Sequence, residues 1–339
     1  MAEKVQNDGL QPVEKNKKHA SLRARVITSV VYVAVWVVMV ALKWCVPHGN
    51  VAGGWGAIGF DAVFCAVSVI GAYEFLRAIG NEKSGINCKI SSIQRAITIA
   101  FCASVVPLYA LVAMIPQTAD SGFLAIWVAF TIYTMLLAAS SVFDHQRSTV
   151  KGTIYCIAVM LYCGLLSAML SSVNHLQTNS MSALLMMFIC TVTTDVGAYV
   201  VGSSLKKYIP LKLAPSLSPN KTVIGAIGGV LGGVVGAIIA YYIMYVFGGI
   251  NDTVYFFRYN DIFLIAKSEY FPPLASFIII GLVTAVMAQI GDLFESAIKR
   301  ECGVKDMGNL LPGHGGVLDR FDSMLYSSVV ILFAFGTIF

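Results

Sequence analysis

Charge is what this sequence has least of. Asp, Glu, Lys and Arg make up 12% of its 339 residues and apolar types 57%, whereas a soluble domain carries about 25% charge. So little charge excludes an ordinary water-soluble surface and points to a bilayer as solvent. Clustered cysteines are also missing. The eight cysteines form no CxxC pair and no Cys/His cluster, which argues against structural zinc. Cys65, Cys102, Cys156, Cys163 and Cys190 sit inside apolar runs, where a thiol behaves as a small hydrophobe. Cys88 and Cys302 fall in loops expected in the reducing cytoplasm, so no disulfide is expected. The first apolar run has no small-residue cleavage site behind it and is expected to be a retained anchor helix. No internal repeat of the kind that builds many transporters is visible.

What is present is a series of long apolar runs. A spanning helix needs roughly 20 mostly apolar residues. Nine segments qualify: 26–46, 52–76, 96–115, 122–143, 153–171, 181–201, 222–248, 274–294 and a short last one, 323–339. The expected architecture is therefore all-α: a polytopic integral membrane protein with about nine transmembrane helices. Lys and Arg set its orientation, because cytoplasmic loops carry their excess. With the N-terminus inside, 20 of the 23 Lys and Arg fall on inner segments, and Lys43, Arg258 and Lys267 remain outside. The alternation holds through all the loops and places the N-terminus in the cytoplasm. The net charge of +5 is then explained by an anionic inner leaflet and calls for no nucleic-acid partner. The organisation expected is a basic cytoplasmic tail (1–25), an N-terminal transmembrane region (26–171) and a C-terminal transmembrane catalytic region (172–339). The glycines of the seventh run, Gly225, Gly228, Gly229, Gly232, Gly233 and Gly236, form small-xxx-small pairs. These suit close helix packing, either inside the chain or across a dimer.

The two longest polar stretches lie on the inner side, and function is expected there. The first runs from Gln289 to Ser323. In it Asp292, Glu295 and Lys299 stand at i, i+3 and i+7 and share a helix face. Asp319 and Asp322 stand three apart near a helix start. Carboxylates so placed suit Mg²⁺, which binds through one or two carboxylates plus substrate phosphates. Gly313-His314-Gly315-Gly316 allows a sharp turn that presents N–H groups to an anion. Lys299, Arg300, Lys305 and Arg320 supply cations for phosphate. Metal-binding carboxylates, a glycine turn and basic residues together indicate phosphoryl or nucleotidyl transfer.

The second stretch holds Asp195 and, further on, Ser218-Pro219-Asn220-Lys221-Thr222. Asp195 falls in the inner half of the sixth run, and an intramembrane carboxylate is a functional candidate by default. Ser218–Thr222 is expected to open the seventh helix, whose free N–H groups attract phosphate. Of the remaining acids, Glu74 is expected to pair with Arg77 at i+3, and Asp61 has no role legible from sequence.

The segment Ser296-Ala297-Ile298-Lys299-Arg300, then Lys305-Asp306, then Gly313-His314-Gly315-Gly316-Val317-Leu318-Asp319-Arg320-Phe321-Asp322 closely resembles the signature of the phosphatidate cytidylyltransferases, with its spacing intact. Ser218–Thr222 and Asp195-Val196-Gly197-Ala198-Tyr199 resemble two further motifs of that family, in the expected order. Two positions depart from it: Ile224 stands where the family commonly has Glu, and Ser203 where Arg often follows Gly202.

The resemblance implies transfer of a cytidylyl group from CTP to phosphatidic acid, giving CDP-diacylglycerol and pyrophosphate in phospholipid biosynthesis. It implies Mg²⁺ on Asp292, Asp319 and Asp322, with a second cation an option. Lys221, Lys305 and Arg320 would offset charge. Ser218, Asn220, Thr222, Lys299, His314, Gly315, Gly316 and Asp195 would contact or orient substrate. It further implies membrane lipid as partner and the option of a homodimer. The compact length and single catalytic unit point to a bacterial plasma membrane, and the loop charges place the site on the cytoplasmic side. The alternatives are a CTP-dependent polyprenol kinase, a transporter with Asp195 and Asp292 as ion sites, and a catalytically weak relative with a scaffold role.

Overall fold

The computed structural model describes residues 34–41, 43, 54–81, 84–86, 88–115, 121–176, 179–248, 273–311 and 315–338. The basic tail 1–25, most of the first expected span and the segment 249–272 lie outside them. After a helical stretch at 34–41 come α1 (Gly54–Ile79), α2 (Ser92–Met114), α3 (Gly122–Phe143), α4 (Val150–Asn174) and α5 (Ser180–Leu205). A hairpin of β1 (Lys212–Ala214) and β2 (Ser218–Thr222) leads into α6 (Val223–Gly248). Next come α7 (Pro273–Glu301) and α8 (Leu318–Phe333), the latter continued by a π-helical turn, Ala334–Ile338.

Among the described residues, seven helices are long and apolar enough to cross a membrane. They correspond to the second through eighth expected spans. The ninth is helical, but its α-helical part has only 16 residues. The lipid-facing character is clearest on α3, where Leu124, Trp127, Ile132, Met135, Val142 and Phe143 are all exposed. An apolar surface that extensive is not tolerated in water. The cysteines Cys65, Cys88, Cys102, Cys156, Cys163, Cys190 and Cys302 are free. Burial pushes the Cys302 thiol up to about 11, which keeps it protonated and unreactive.

Two kinds of contact hold the bundle. On the C-terminal side, α5, α6 and α7 approach backbone to backbone. A Cβ on Gly232 would lie 2.2 Å from the Thr193 carbonyl oxygen, and one on Gly233 would lie 2.4 Å from the Ala285 Cβ. The glycine stripe is thus used for packing within the chain. On the N-terminal side an apolar core of Phe60, Phe64, Phe101, Met160 and Leu170 surrounds a buried polar knot. Asp61 accepts hydrogen bonds from Ser171 Oγ (2.7 Å) and Asn174 Nδ2 (3.1 Å) and lies 2.7 Å from His175 Nε2. Lys43, counted on the outer side from its charge, is buried and donates to the Asn174 carbonyl and side-chain oxygens, both at 2.7 Å.

The knot ties α1 to α4 and gives Asp61 the role that the sequence did not show. Asp61→Ala should leave Ser171, Asn174 and His175 without their shared acceptor in a buried site, at a cost of about 1–3 kcal/mol. A clear drop in the melting temperature of the detergent-solubilised protein checks this; an unchanged melt would contradict it.

Candidate active site

The described residues of the two polar stretches gather at one end of the bundle, because α5 ends there, α6 begins there, α7 ends there and α8 begins there. The hairpin between α5 and α6 corrects one expectation. Ser218–Thr222 is a strand, paired with Lys212 and Ala214, and not the first turn of a helix. The helix starts at Val223, and Thr222 caps it: its Oγ1 accepts from Gly225 N at 3.1 Å, as an N-cap hydroxyl does. Lys212 Nζ donates to the Pro219 carbonyl at 2.6 Å and Arg300 Nε to that of Leu217 at 3.0 Å. Both bonds hold the hairpin, and the second ties it to the end of α7. Ser218 is half-buried, and Pro219 and Asn220 are exposed.

Two lysines, Lys221 and Lys299, organise the site through ion pairs that differ in their access to water. Lys221 on β2 meets Asp292 on α7 at 2.5 Å, with about a third of each side chain exposed. Deeper in, Lys299 pairs with Glu295 one turn back and with Asp319 of α8 at 2.9 Å. The common helix face of Asp292, Glu295 and Lys299 is therefore split: Asp292 turns to the hairpin, and the other two turn to α8. Glu295 is fully buried, and its second oxygen, Oε1, has no hydrogen-bond partner among the described residues.

Asp319 is engaged through both oxygens. Oδ1 takes Lys299; Oδ2 accepts from Met307 N (2.9 Å) and Gly316 N (2.7 Å). It thereby closes the loop between α7 and α8. That loop turns at Gly315, whose φ of +88° is open to glycine at little cost. Asp322 is buried three residues further along α8, and its Oδ1 accepts from Ser323 N at 2.7 Å. Lys305 and Arg320 are exposed at the same end. His314, with Pro312 and Gly313, lies outside the described residues.

Asp195 projects from α5 and shares an electrostatic neighbourhood with Asp292, Lys221 and Arg320, and Asp322 shares one with Asp292 and Asp195. Among the described residues no three His, Cys, Asp or Glu side chains converge as a ready-made metal cluster. The donor chemistry nonetheless fits a hard divalent ion. Asp195, Asp292 and Asp322 are like charges that act on one another, and Mg²⁺ needs only one or two carboxylates beside substrate phosphates.

One residue was misread from sequence. Glu74 of α1 does not spend its carboxylate on Arg77: its two oxygens accept from the backbone N–H groups of Val317 (3.1 Å) and Leu318 (3.0 Å) at the start of α8. The available signal was the position of an acid inside an apolar run, which marks a functional candidate.

Fold and site together define a polytopic α-helical membrane protein whose one end presents carboxylates and cations suited to phosphate chemistry. The cytidylyltransferase family model matches residues 23–339, and the chain belongs to that family. It is 30% identical over 222 residues to a phosphatidate cytidylyltransferase of Staphylococcus saprophyticus, covering 64% of this chain and 72% of the relative. It is 35% identical over 194 residues to one of Bacillus subtilis, covering 57% and 60%. With one of Brucella suis it shares 34% over 182 residues, covering 54% and 57%.

Proposed function

We propose that this chain transfers the cytidylyl group of CTP to phosphatidic acid, releasing pyrophosphate and leaving CDP-diacylglycerol in the membrane. The observation that carries this reading is the meeting of two distant motif segments at one bundle end, with Lys221 of β2 against Asp292 of α7 above the buried Lys299–Asp319 pair.

Both substrates are anions, so charge is the first obstacle. A phosphate oxygen of phosphatidate forms a bond to the α-phosphorus of CTP. The bond from that phosphorus to the bridging oxygen breaks, and pyrophosphate leaves with the electron pair. Lys221, Lys305 and Arg320 offset the charge that shifts onto the leaving group, since preorganised cations act most strongly where charge develops. The exposed Asn220 and the half-buried Ser218 of the hairpin orient phosphate oxygens. Thr222 acts through its cap, which fixes the strand-to-helix junction beside Lys221.

When bound, Mg²⁺ would screen the triphosphate and stabilise the departing pyrophosphate. Asp292 and Asp322 would hold it, with Asp195 beside them. Asp319 joins that set only by giving up Lys299, and a second cation would help to fill such an acidic site. No general base is needed, because phosphatidate is already ionised near neutral pH.

The site faces the cytoplasm, where CTP is, and opens sideways to the leaflet that holds the lipid. The relatives named above are bacterial, and we place this chain in a bacterial plasma membrane. A homodimer would leave this site intact, since its residues come from one chain.

Purified protein in detergent, given CTP, phosphatidic acid and Mg²⁺, should release pyrophosphate in a lipid-dependent manner, and EDTA should stop it. Release of CDP in place of pyrophosphate would indicate a kinase and overturn the reading, as would nucleotide-independent transport without turnover.

A further inference from the structure

We infer that Glu74, a residue of the N-terminal bundle, is a positioning residue for cytidylyl transfer: it caps α8 from outside and holds the catalytic loop in register. The inference rests on the transferase reading above.

The argument begins with a missing cap. The first N–H groups of any α-helix have no partner within the helix, and a Ser, Thr, Asp or Asn at the N-cap usually supplies one. At α8 the N-cap is Val317, whose side chain cannot accept a hydrogen bond, and no side-chain cap is formed locally. The acceptor comes instead from 243 residues away, where Glu74 Oε1 takes Val317 N and Oε2 takes Leu318 N. A carboxylate at this place also sits at the positive end of the helix dipole.

A second observation is independent of these bonds. The loop is shaped around the Glu74 carboxylate. A Cβ on Gly308 would stand 2.1 Å from Glu74 Oε1, and one on Gly316 would stand 2.4 Å from Oε2. Two glycines far apart in the loop thus leave room for one side chain of another helix, and Glu74 is itself buried.

What the cap positions is the next turn of α8. Asp319 follows Leu318 directly, and its carboxylate ties Lys299, Met307 N and Gly316 N together. Arg320 and Asp322 lie on the same turn. If the start of α8 shifts, all three move relative to Lys221 and Asp292, which are fixed on other elements. Misplacement by about 1 Å costs on the order of 100-fold in rate. Glu74 acts through the backbone of Val317 and Leu318.

The experiment is a Glu74→Gln and Glu74→Asp pair, assayed beside the wild type for kcat, for KM of CTP and for amide hydrogen exchange at Val317 and Leu318. Gln presents one acceptor and turns an NH₂ group toward an N–H. Its kcat per folded enzyme should fall about 10–100-fold with KM for CTP changed far less, and exchange at the two amides should rise. Asp keeps the charge and should recover part of kcat.

A complementary pair tests the fit. Gly316→Ala should be severely damaging in the wild type, yet add little further loss in a Glu74→Ala background, where the space is vacant. Wild-type kcat in folded Glu74→Gln would overturn the inference. So would a loss of activity that merely tracks the loss of folded protein, or fully additive effects of Gly316→Ala and Glu74→Ala. An inactive wild type would instead overturn the transferase reading, and exchange at Val317 and Leu318 would still report on the cap.

Discussion

Asp319→Asn is expected to lower cytidylyl transfer by about 100–1000-fold per folded enzyme, the range seen when one preorganised hydrogen-bonding contact at a reacting centre is removed. Asparagine has nearly the same shape, but its single oxygen cannot serve the three donors that Asp319 now satisfies. If that oxygen keeps Met307 N and Gly316 N, the amide NH₂ faces the Lys299 ammonium, donor against donor. Lys299 is then left with Glu295 alone, and the α7 and α8 halves of the signature are no longer tied. Stability should fall as well, because the largely buried Lys299 loses one of its two carboxylate partners. The measurement is initial-rate pyrophosphate release normalised to folded protein from size-exclusion chromatography. Undiminished turnover in the variant would remove Asp319 from the machinery.

Asp292→Asn is expected to have an effect of the same order, by a different route. Lys221 and Asp292 neutralise one another at 2.5 Å while each remains about one-third exposed. Such a pair can exchange partners when a triphosphate arrives with its divalent ion, the lysine turning to phosphate and the carboxylate to the cation. Loss of either residue should therefore be damaging: Lys221→Met should chiefly raise KM for CTP, and Asp292→Asn should chiefly lower kcat and weaken the dependence on Mg²⁺. The decisive variant is the double one. If the pair served only to hold the hairpin against α7, removing both charges together would restore much of what either single change loses. The expectation is no rescue. A double variant more active than both singles would make the pair a structural strut.

The legibility of this site in the sequence was uneven. The signature from Ser296 to Asp322 and the Ser218–Thr222 segment could be read because their chemistry is local: residue types at fixed spacing, on segments too polar for the bilayer. The conformation of Ser218–Thr222 was misjudged, since Ser-Pro followed by an apolar run reads as a helix start. The register with β1, which pairs Ala214 with Ser218 and Lys212 with Thr222, decides for a strand, and it depends on main-chain partners outside the segment itself. Glu74 was assigned to Arg77 because i, i+3 neighbours are what a single helix offers. Its real partners are backbone groups of α8, and main-chain N–H groups carry no residue type to recognise. The glycines of α6 were open to two readings from spacing alone. Contact with Thr193, Gly197 and Ala285 shows them used inside the chain.

The sequence by itself determined that this is an α-helical membrane protein, and it set the polar segments that meet at one bundle end apart from the apolar spans. Those features follow from hydrophobicity, charge and spacing, which act on stretches of about 20 residues. Tertiary structure alone decided the pairings: Lys221 with Asp292, Lys299 with Asp319, Asp61 with His175, and Glu74 with the start of α8. In a bilayer the hydrophobic effect inserts helices without telling them which neighbour to choose. That choice falls to close packing and to a few buried polar contacts, whose partners here lie up to 244 residues apart in the chain.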